Sequence, residues 1–347
     1  MGRPPAGGPG IAHRQRVATI EAATREVATA SADAGVNVIV FKGMVTARGC
    51  YAAPALRDYT DVDLLVRPEA MERVDARLAT LGYTRDFRGD GIERRMYLAN
   101  HSAYTYRHVE TRAELDVHWH LMPPMWRTSV DLEALWRRAR TVTIESASLR
   151  TFSIDDELLM LALHGSKERW NRLRMVYGVA KHLAAHGEAD WPARLAFARA
   201  QGSERSLLLG LAMAKAALGA TLPPPVERAL LDARLGGATD IALRVLGTWR
   251  SVGARLGNFS WQRFSALDRP GDRARYVLRF FAYPRMKHLE VVRLPAWAYG
   301  LDFPIAMIHE VVLLPLWRLW HRLAGGHGAG EPAGGTQVSA TPISGRS

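Results

Sequence analysis

The sequence predicts an α+β region followed by an all-helical region. Two short apolar runs, residues 36–41 and 61–66, are bounded by turn-forming residues, as buried strands are. From residue 155 onwards the pattern changes to one helical segment after another, separated by Gly and Pro. The boundary between the two regions is therefore expected between residues 145 and 155.

The first region is expected to form a small mixed sheet with flanking helices. Residues 11–34 are rich in Ala and contain neither Gly nor Pro, which favours one long helix ending at Gly35. Pro68 and Gly82 frame a second helix, because Pro is tolerated at a helix start and Gly commonly follows a helix end. The predicted elements are, in order, a helix at 11–34, a strand at 36–41, a helix at 44–51, a strand at 61–66, a helix at 69–81 and an antiparallel meander of strands at 94–98, 103–109 and 113–121.

The second region is expected to contain a series of helices. Ser153 and Asp155 are suited to cap the first of them, because their side-chain oxygens accept hydrogen bonds from free backbone amides. The predicted helices span 155–168, 171–186, 191–200, 204–218, 226–233 and 240–252.

With 347 residues, the chain is long enough to bury more than one hydrophobic core. Gly and Pro dominate its start, and Gly, Ala, Ser and Thr dominate its end, so both ends are expected to be disordered. The expected segments are a disordered start at 1–10, the α+β domain at 11–150, the helical domain at 151–260, a basic and aromatic helical extension at 261–324 and a disordered tail at 325–347.

The charge balance favours polyanionic partners. The 46 Lys and Arg against 34 Asp and Glu give a net charge of +12, which suits nucleotides, nucleic acid or an anionic membrane surface. The single cysteine excludes an internal disulfide, and the first thirty residues lack the apolar core of a secretory signal. A cytoplasmic location is expected from these features.

Asp61 and Asp63 are candidate metal ligands. Side chains at i and i+2 of a strand lie on the same face, so the two carboxylates would be presented together. Paired carboxylates suit a hard divalent cation such as Mg²⁺. The alternative is that Asp61 begins a turn and Asp63 is a solvated strand residue.

The turn before this pair has the features of a phosphate site. Gly43 lets the backbone approach a phosphate closely, and amides at the start of the following helix can bind anions. Lys42 and Arg57 are candidate phosphate ligands, with ordinary surface charge as the alternative.

These residues belong to four ordered motifs that resemble the nucleotidyltransferase superfamily of the DNA polymerase β type. More closely, they resemble a bacterial family of uncharacterised nucleotidyltransferases. The resemblance covers roughly residues 20–225. The motifs are Phe41-Lys42-Gly43, Arg57 to Val66, Leu115 to Trp119, and Leu163 to Leu173.

The resemblance implies that Asp116 is a third carboxylate and that Asp61, Asp63 and Asp116 are catalytic and hold two Mg²⁺ ions. It implies an EC 2.7.7-type enzyme that transfers a nucleoside monophosphate from an NTP to a hydroxyl. ATP is one candidate donor, and the acceptor is an unidentified small molecule, peptide or protein. The residues expected to bind the nucleotide are Lys42, Gly43, Arg57, His164 and Lys167.

Two other enzymatic or metal-binding interpretations stay open. Asp116, His118 and His120 alternate along one predicted strand and could form a transition-metal site, since imidazole suits Zn²⁺ or Fe²⁺. An Asp-x-Asp pair also chelates the metal of nucleotide sugars, which makes a metal-dependent glycosyltransferase an alternative.

A non-catalytic nucleotide-binding protein, docked at a membrane, is a third interpretation. Met44 and Gly178 stand where relatives carry Ser and Asp, and Thr46 is a candidate to replace the missing Ser hydroxyl. Residues 279–323 are basic and aromatic and would provide peripheral membrane contact, or would pack as a helix on the core. Charged residues and prolines interrupt the apolar stretch at 301–323, which disfavours a membrane span. Nucleic acid stays open as a partner but is not favoured.

Overall fold

A mixed sheet organises the first half of the chain. The computed structural model describes residues 10–126, 128–144, 147–247 and 260–282, together with a few residues between 308 and 320. The sheet has the order β1-β2-β5-β4-β3, with β2 parallel to β5 and the other neighbours antiparallel. Its strands are β1 (Val38–Phe41), β2 (Asp61–Val66), β3 (Tyr83–Arg85), β4 (Ala103–His108) and β5 (Glu114–His118).

Helices cover this sheet much as the sequence predicts. The long first helix and the strand at 61–66 are confirmed, and a 3₁₀ turn at Pro68–Ala70 precedes the helix predicted at 69–81. Strand alternation sends Val38, Val40 and Leu64 into one core, shared with the first helix. The helices of this half are α1 (Ile11–Asp33), α2 (Gly43–Cys50), α3 (Met71–Thr80) and α4 (Gly91–Asn100).

The strand predicted at 94–98 is wrong, because these residues lie within α4. The ring of Tyr97, in α4, stacks on two aromatic rings from outside the helix. Its centroid lies 4.1 Å from that of Phe87 and 5.1 Å from that of Tyr104. A five-residue window containing one aromatic and two apolar residues does not separate the helical period from the strand period. The strand that completes the sheet is β3, which has three residues and is too short to give a periodic signal.

The sequence does not predict the link between the sheet and the helical half. This link consists of α5 (Leu132–Arg138) and a hairpin of β6 (Arg140–Ile144) and β7 (Ala147–Thr151). Ile144 and Leu149 join the sheet core, and β7 contacts both α1 and β1.

The helical half matches its prediction closely. Two predicted helices, 191–200 and 204–218, have the bounds observed, and Ser153 caps the first helix by accepting a hydrogen bond from the Asp156 amide. Residues 248–252 of the last predicted helix lie outside the described residues. The helices are α6 (Ile154–Lys167), α7 (Leu173–Ala185), α8 (Trp191–Ala200), α9 (Glu204–Leu218), α10 (Pro224–Ala233), α11 (Gly236–Gly247), α12 (Trp261–Ser265) and α13 (Pro270–Ala282).

The helical core continues onto the other face of the sheet. Ile39, Phe41 and Leu65 alternate with the residues of the first core and pack with α6, α7 and α9. The edge of the sheet that carries the Lys-Gly turn is therefore wedged between the two halves. The five-segment division stays a prediction.

Parts of that prediction fall outside the described residues. These parts are residues 1–9, the tail at 325–347 and most of the stretch at 283–323. Among the described helices, none combines the length and apolarity needed to cross a bilayer.

Candidate active site

The parallel pairing of β2 with β5 brings two of the predicted carboxylates together. Asp63 and Asp116 are direct partners in the register of these strands, and paired side chains on one face are close neighbours. A carboxylate oxygen of each residue and a ring nitrogen of His118 lie within 4.8 Å of one another. Two carboxylates and an imidazole are suitable ligands for a divalent cation.

Asp63 is held as a buried carboxylate by two donors. Its Oδ1 accepts from Lys42 Nζ at 2.7 Å and from His118 Nε2 at 3.1 Å, while its exposed fraction is 5%. Burial alone would raise the pKa of Asp63, but the adjacent Lys42 and His118 outweigh burial and lower it. Asp63 is therefore ionised at neutral pH.

A strand neighbour orients Asp116. The hydroxyl of Thr105, which is paired with Asp116 in the β4–β5 register, donates to Asp116 Oδ1 at 2.6 Å. This hydrogen bond fixes one carboxylate oxygen of Asp116, and no side chain of the described residues donates to the other.

Asp61 is the first residue of β2 and lies close enough to Asp63 and Asp116 to interact with them electrostatically. Burial, with Asp63 and Asp116 nearby, raises the pKa of Asp61 to about 6, while Lys42 and Arg174 act in the opposite direction. Burial is the larger cause of this raised pKa, and repulsion from the other two carboxylates, which a bound divalent cation would relieve, is the smaller one. The three-ligand group formed with His118 does not include Asp61.

The Lys-Gly turn packs directly against this strand. Lys42 and Gly43 have φ values of 55° and 25°, and a Cβ added at Gly43 would lie 3.4 Å from the Asp61 carbonyl oxygen. Arg57 donates from Nη1 to the Gly43 carbonyl at 2.9 Å, so it holds the turn in place. Thr46, the candidate for a hydroxyl contact, instead donates to buried Glu157 at 2.6 Å.

The Leu163 to Leu173 motif contributes one group beside the carboxylates. Burial, Lys42 and Lys167 lower the pKa of His164 well below its usual value, and Asp63 acts on it in the opposite direction. His164 Nδ1 is buried without a hydrogen-bond partner in the described part of the chain. His164 is therefore a neutral imidazole beside the Lys42–Asp63 pair.

The comparisons with known proteins identify the family. A model of the family described as "Uncharacterised nucleotidyltransferase" matches residues 11–219, more than half of the chain. The chain belongs to this family. The match confirms the resemblance to uncharacterised nucleotidyltransferases drawn from the four motifs, and the structure has the expected α+β region with a small mixed sheet, followed by helices.

Two solved structures of the antibiotic-resistance factor ANT(2'')-Ia are distantly similar. A solution structure aligns with 14% identity and a TM-score of 0.37, covering 54% of this chain and 93% of that one. A crystal structure in complex with adenylyl-2''-tobramycin aligns with 12% identity and a TM-score of 0.38, covering 53% and 98%. A comparison with curated proteins gives no match.

Several motif residues of this nucleotidyltransferase have structural contacts. Trp170 is 0% exposed, and a Cβ at Gly165 would lie 2.4 Å from its ring, so this part of the motif is core packing. Lys167, three residues after His164, forms an ion pair with its neighbour: its Nζ lies 3.1 Å from Glu168 Oε1. Asp58 accepts from Arg16 at 3.0 Å and lies apart from the carboxylate group.

Sequence reasoning missed two side chains near the carboxylates. The sequence suggests His118 only as part of a transition-metal strand, whereas in the structure it forms a hydrogen bond with Asp63. His120 lies beyond the end of β5, outside the three-ligand group. Arg174, at the start of α7, acts on Asp61 and lies 3.8 Å from Asp58. Its one sequence signal is its position just after the Leu163 to Leu173 motif.

Proposed function

We propose that this protein is a metal-dependent nucleotidyltransferase that transfers a nucleoside monophosphate from an NTP to a hydroxyl of a small molecule, peptide or protein. One observation carries the proposal. Asp63 and Asp116 face each other across adjacent parallel strands, with Asp61 two residues away and the Gly43 turn packed against it. Family membership supports the reaction class.

The residues present fit a magnesium centre. Asp61, Asp63 and Asp116 would hold the metal, because clustered carboxylates are the ligands that Mg²⁺ takes from proteins alongside substrate phosphates. When bound, two Mg²⁺ ions would neutralise charge on the phosphates and favour the ionised form of the acceptor hydroxyl. His118 would act as a further ligand or as the donor that keeps Asp63 oriented.

The surrounding residues prepare the carboxylates for this role. Lys42 and His118 keep Asp63 ionised while it is buried, and Thr105 fixes the rotamer of Asp116. Both effects reduce the reorganisation needed when a cation and a nucleotide bind. Lys42 would thus act as a positive charge that is present before the metal arrives.

Phosphate binding is assigned to the turn and its basic neighbours. The first backbone amides of α2 form the N-terminal end of this helix, where the helix dipole favours anions. Gly43, which has no side chain, would let a phosphate approach these amides closely. Arg57 would support this turn through its bond to the Gly43 carbonyl, while His164 and Lys167 would face the nucleotide from α6. ATP is the first donor to test.

Binding calorimetry with ATP, GTP, CTP, UTP and UDP-glucose, with and without Mg²⁺, tests this function. We expect Mg²⁺-dependent binding of one NTP. The affinity should fall about tenfold or more in Asp63→Asn, since a charge-assisted contact contributes about 1.5–3 kcal/mol. Glu227→Gln is the matched control, because Glu227 is a half-exposed carboxylate paired with Lys215 outside the site.

The other outcomes separate the alternatives. Preference for UDP-glucose over every NTP would replace the proposal with glycosyl transfer. Nucleotide binding without metal dependence, unaltered in Asp63→Asn, would support a non-catalytic nucleotide-binding protein. Equal losses in Asp63→Asn and Glu227→Gln would show that the carboxylate group has no special role.

A further inference from the structure

A second cluster of metal-ligand side chains lies at the far end of α2. Cys50 is the last residue of α2, and α2 packs against α7, which carries His182 in its last turn and is followed by His186. The cluster is on the order of 10 Å from the Gly43 turn, since α2 rises about 1.5 Å per residue. It is therefore distinct from the carboxylate group.

The three side chains converge. Cys50 Sγ and one ring nitrogen from each histidine lie within 4.8 Å of one another. His182 and His186 are four residues apart, which places them on one helix face, and their ring centroids are 4.7 Å apart. Ligands of a tetrahedral zinc ion lie about 3.5 Å apart, given Zn–S of about 2.3 Å and Zn–N of about 2.0 Å. A shift of about 1 Å in side-chain position would therefore suffice for binding.

His182 is the observation that points to a ligand. It is 0% exposed, and neither ring nitrogen has a hydrogen-bond partner of normal geometry in the described part of the chain. A weak hydrogen-bonding contact with the Ile154 backbone, outside normal geometry, raises the pKa of His182 and is the smallest of the effects on it. Buried polar atoms without partners are unfavourable, and a metal ion would satisfy one nitrogen while a backbone carbonyl orients the other.

Burial controls the protonation of the three side chains, which sets the proton balance of metal binding. Burial, His186 and Arg194 lower the pKa of His182 to about 3, and burial also lowers that of His186. Both imidazoles are thus neutral at pH 7, as ligands must be. Burial and the carboxylate of Glu157 raise the pKa of Cys50 to about 12, so metal binding there would release the thiol proton.

We propose that Cys50, His182 and His186 bind one zinc ion and join the end of α2 to α7. A thiolate with two imidazoles is a ligand set that Zn²⁺ prefers. Cys50 and His186 are partly exposed, which leaves an entry path and a fourth position for water. The ion would fix α2, which begins at Gly43, against the helix that carries Arg174 near the carboxylates.

Cobalt substitution of the full-length, chelator-treated protein tests this site. Co²⁺ bound to a thiolate gives a near-ultraviolet charge-transfer band, and because Cys50 is the sole cysteine, such a band reports this residue alone. We expect a band that saturates at one equivalent and is displaced by Zn²⁺. It should be lost in Cys50→Ser and His182→Gln. It should persist in Asp63→Asn, which alters only the carboxylate group, and in His13→Gln, which alters a histidine on α1.

A second readout needs no variant. Alkylation of Cys50 by N-ethylmaleimide should slow about tenfold when free Zn²⁺ is about ten times its Kd, because only the metal-free form reacts. A wild-type protein without a thiolate band, or with equal alkylation rates with and without Zn²⁺, would overturn the proposal. Persistence of the band in a folded His182→Gln variant would do the same.

Discussion

Removing the Lys42 ammonium is expected to destabilise the protein far more than removing a comparable surface charge. The Lys42–Asp63 pair is 2.7 Å long, and its side chains are only 11% and 6% exposed. Its Coulomb energy is about 6 kcal/mol at an effective dielectric constant of about 20, most of it offset by desolvation. Lys42→Met would leave the Asp63 carboxylate buried with only the His118 ring as donor. We expect the free energy of unfolding to fall by about 3 kcal/mol.

Lys215→Met is the matched control. Lys215 Nζ lies 2.6 Å from Glu227 Oε1, but these side chains are 53% and 48% exposed. An exposed pair of this kind contributes about 0–1 kcal/mol. Urea unfolding, followed by circular dichroism and tryptophan fluorescence, measures both variants in the absence of metal.

The double variant Lys42→Met/Asp63→Asn decides the cause. If the loss comes from an unpaired buried charge, neutralising Asp63 should recover a large part of it, and the two changes will be strongly non-additive. Additive losses in the double variant would refute the assignment of Lys42 as the counter-charge of Asp63. Equal losses in Lys42→Met and Lys215→Met would refute the argument from burial.

Two further predictions concern packing and capping in the helical half. Gly165→Ala should lower the free energy of unfolding by about 1–3 kcal/mol, because the added Cβ would lie 2.4 Å from the Trp170 ring. Gly178→Ala is the control: its Cβ would meet the nearest side chain at 3.9 Å, so this change should be neutral or slightly stabilising. Equal effects of the two changes in urea unfolding would contradict this reasoning. Asp268→Ala should cost about 1–2 kcal/mol, because its carboxylate accepts hydrogen bonds of 2.7 and 2.8 Å from the first two backbone amides of α9. Asp232→Ala, at the surface of α10, is a suitable comparison, and a similar midpoint shift for both would argue against the cap.

The elements that the sequence predicted best have local signals. α8 and α9 have the predicted bounds, as does β2, since helix and strand periodicity are repeated over several residues within each element. The sequence predicts a strand within the helix at Gly91–Asn100, because residues 94–98 are too few to separate the two periods and the ring contacts of Tyr97 exist only in the folded chain. The β6–β7 hairpin was missed because its alternating Thr, Ser and Arg residues carry little hydrophobic signal.

The sequence predicts the carboxylate pair of Asp61 and Asp63, because the two residues are two positions apart on one strand and strand geometry puts them on one face. Family resemblance added Asp116, and the family model confirms that resemblance. No comparable local rule applies to Lys42 or Arg57. Both side chains are cations suited to bind phosphate, yet one pairs with Asp63 and the other with a backbone carbonyl.

By itself, the sequence determined the order of most elements, the reaction family and the Asp-x-Asp pair, because these depend on backbone geometry over a few residues and on ordered motifs. The tertiary structure alone decided the register that sets Asp63 opposite Asp116 and the meeting of Asp63 with His118, 55 positions away. It also decided the convergence of Cys50 with two histidines of α7. Such contacts depend on strand register and on which helix faces meet, and both are settled by packing of the whole core rather than by neighbours in the chain.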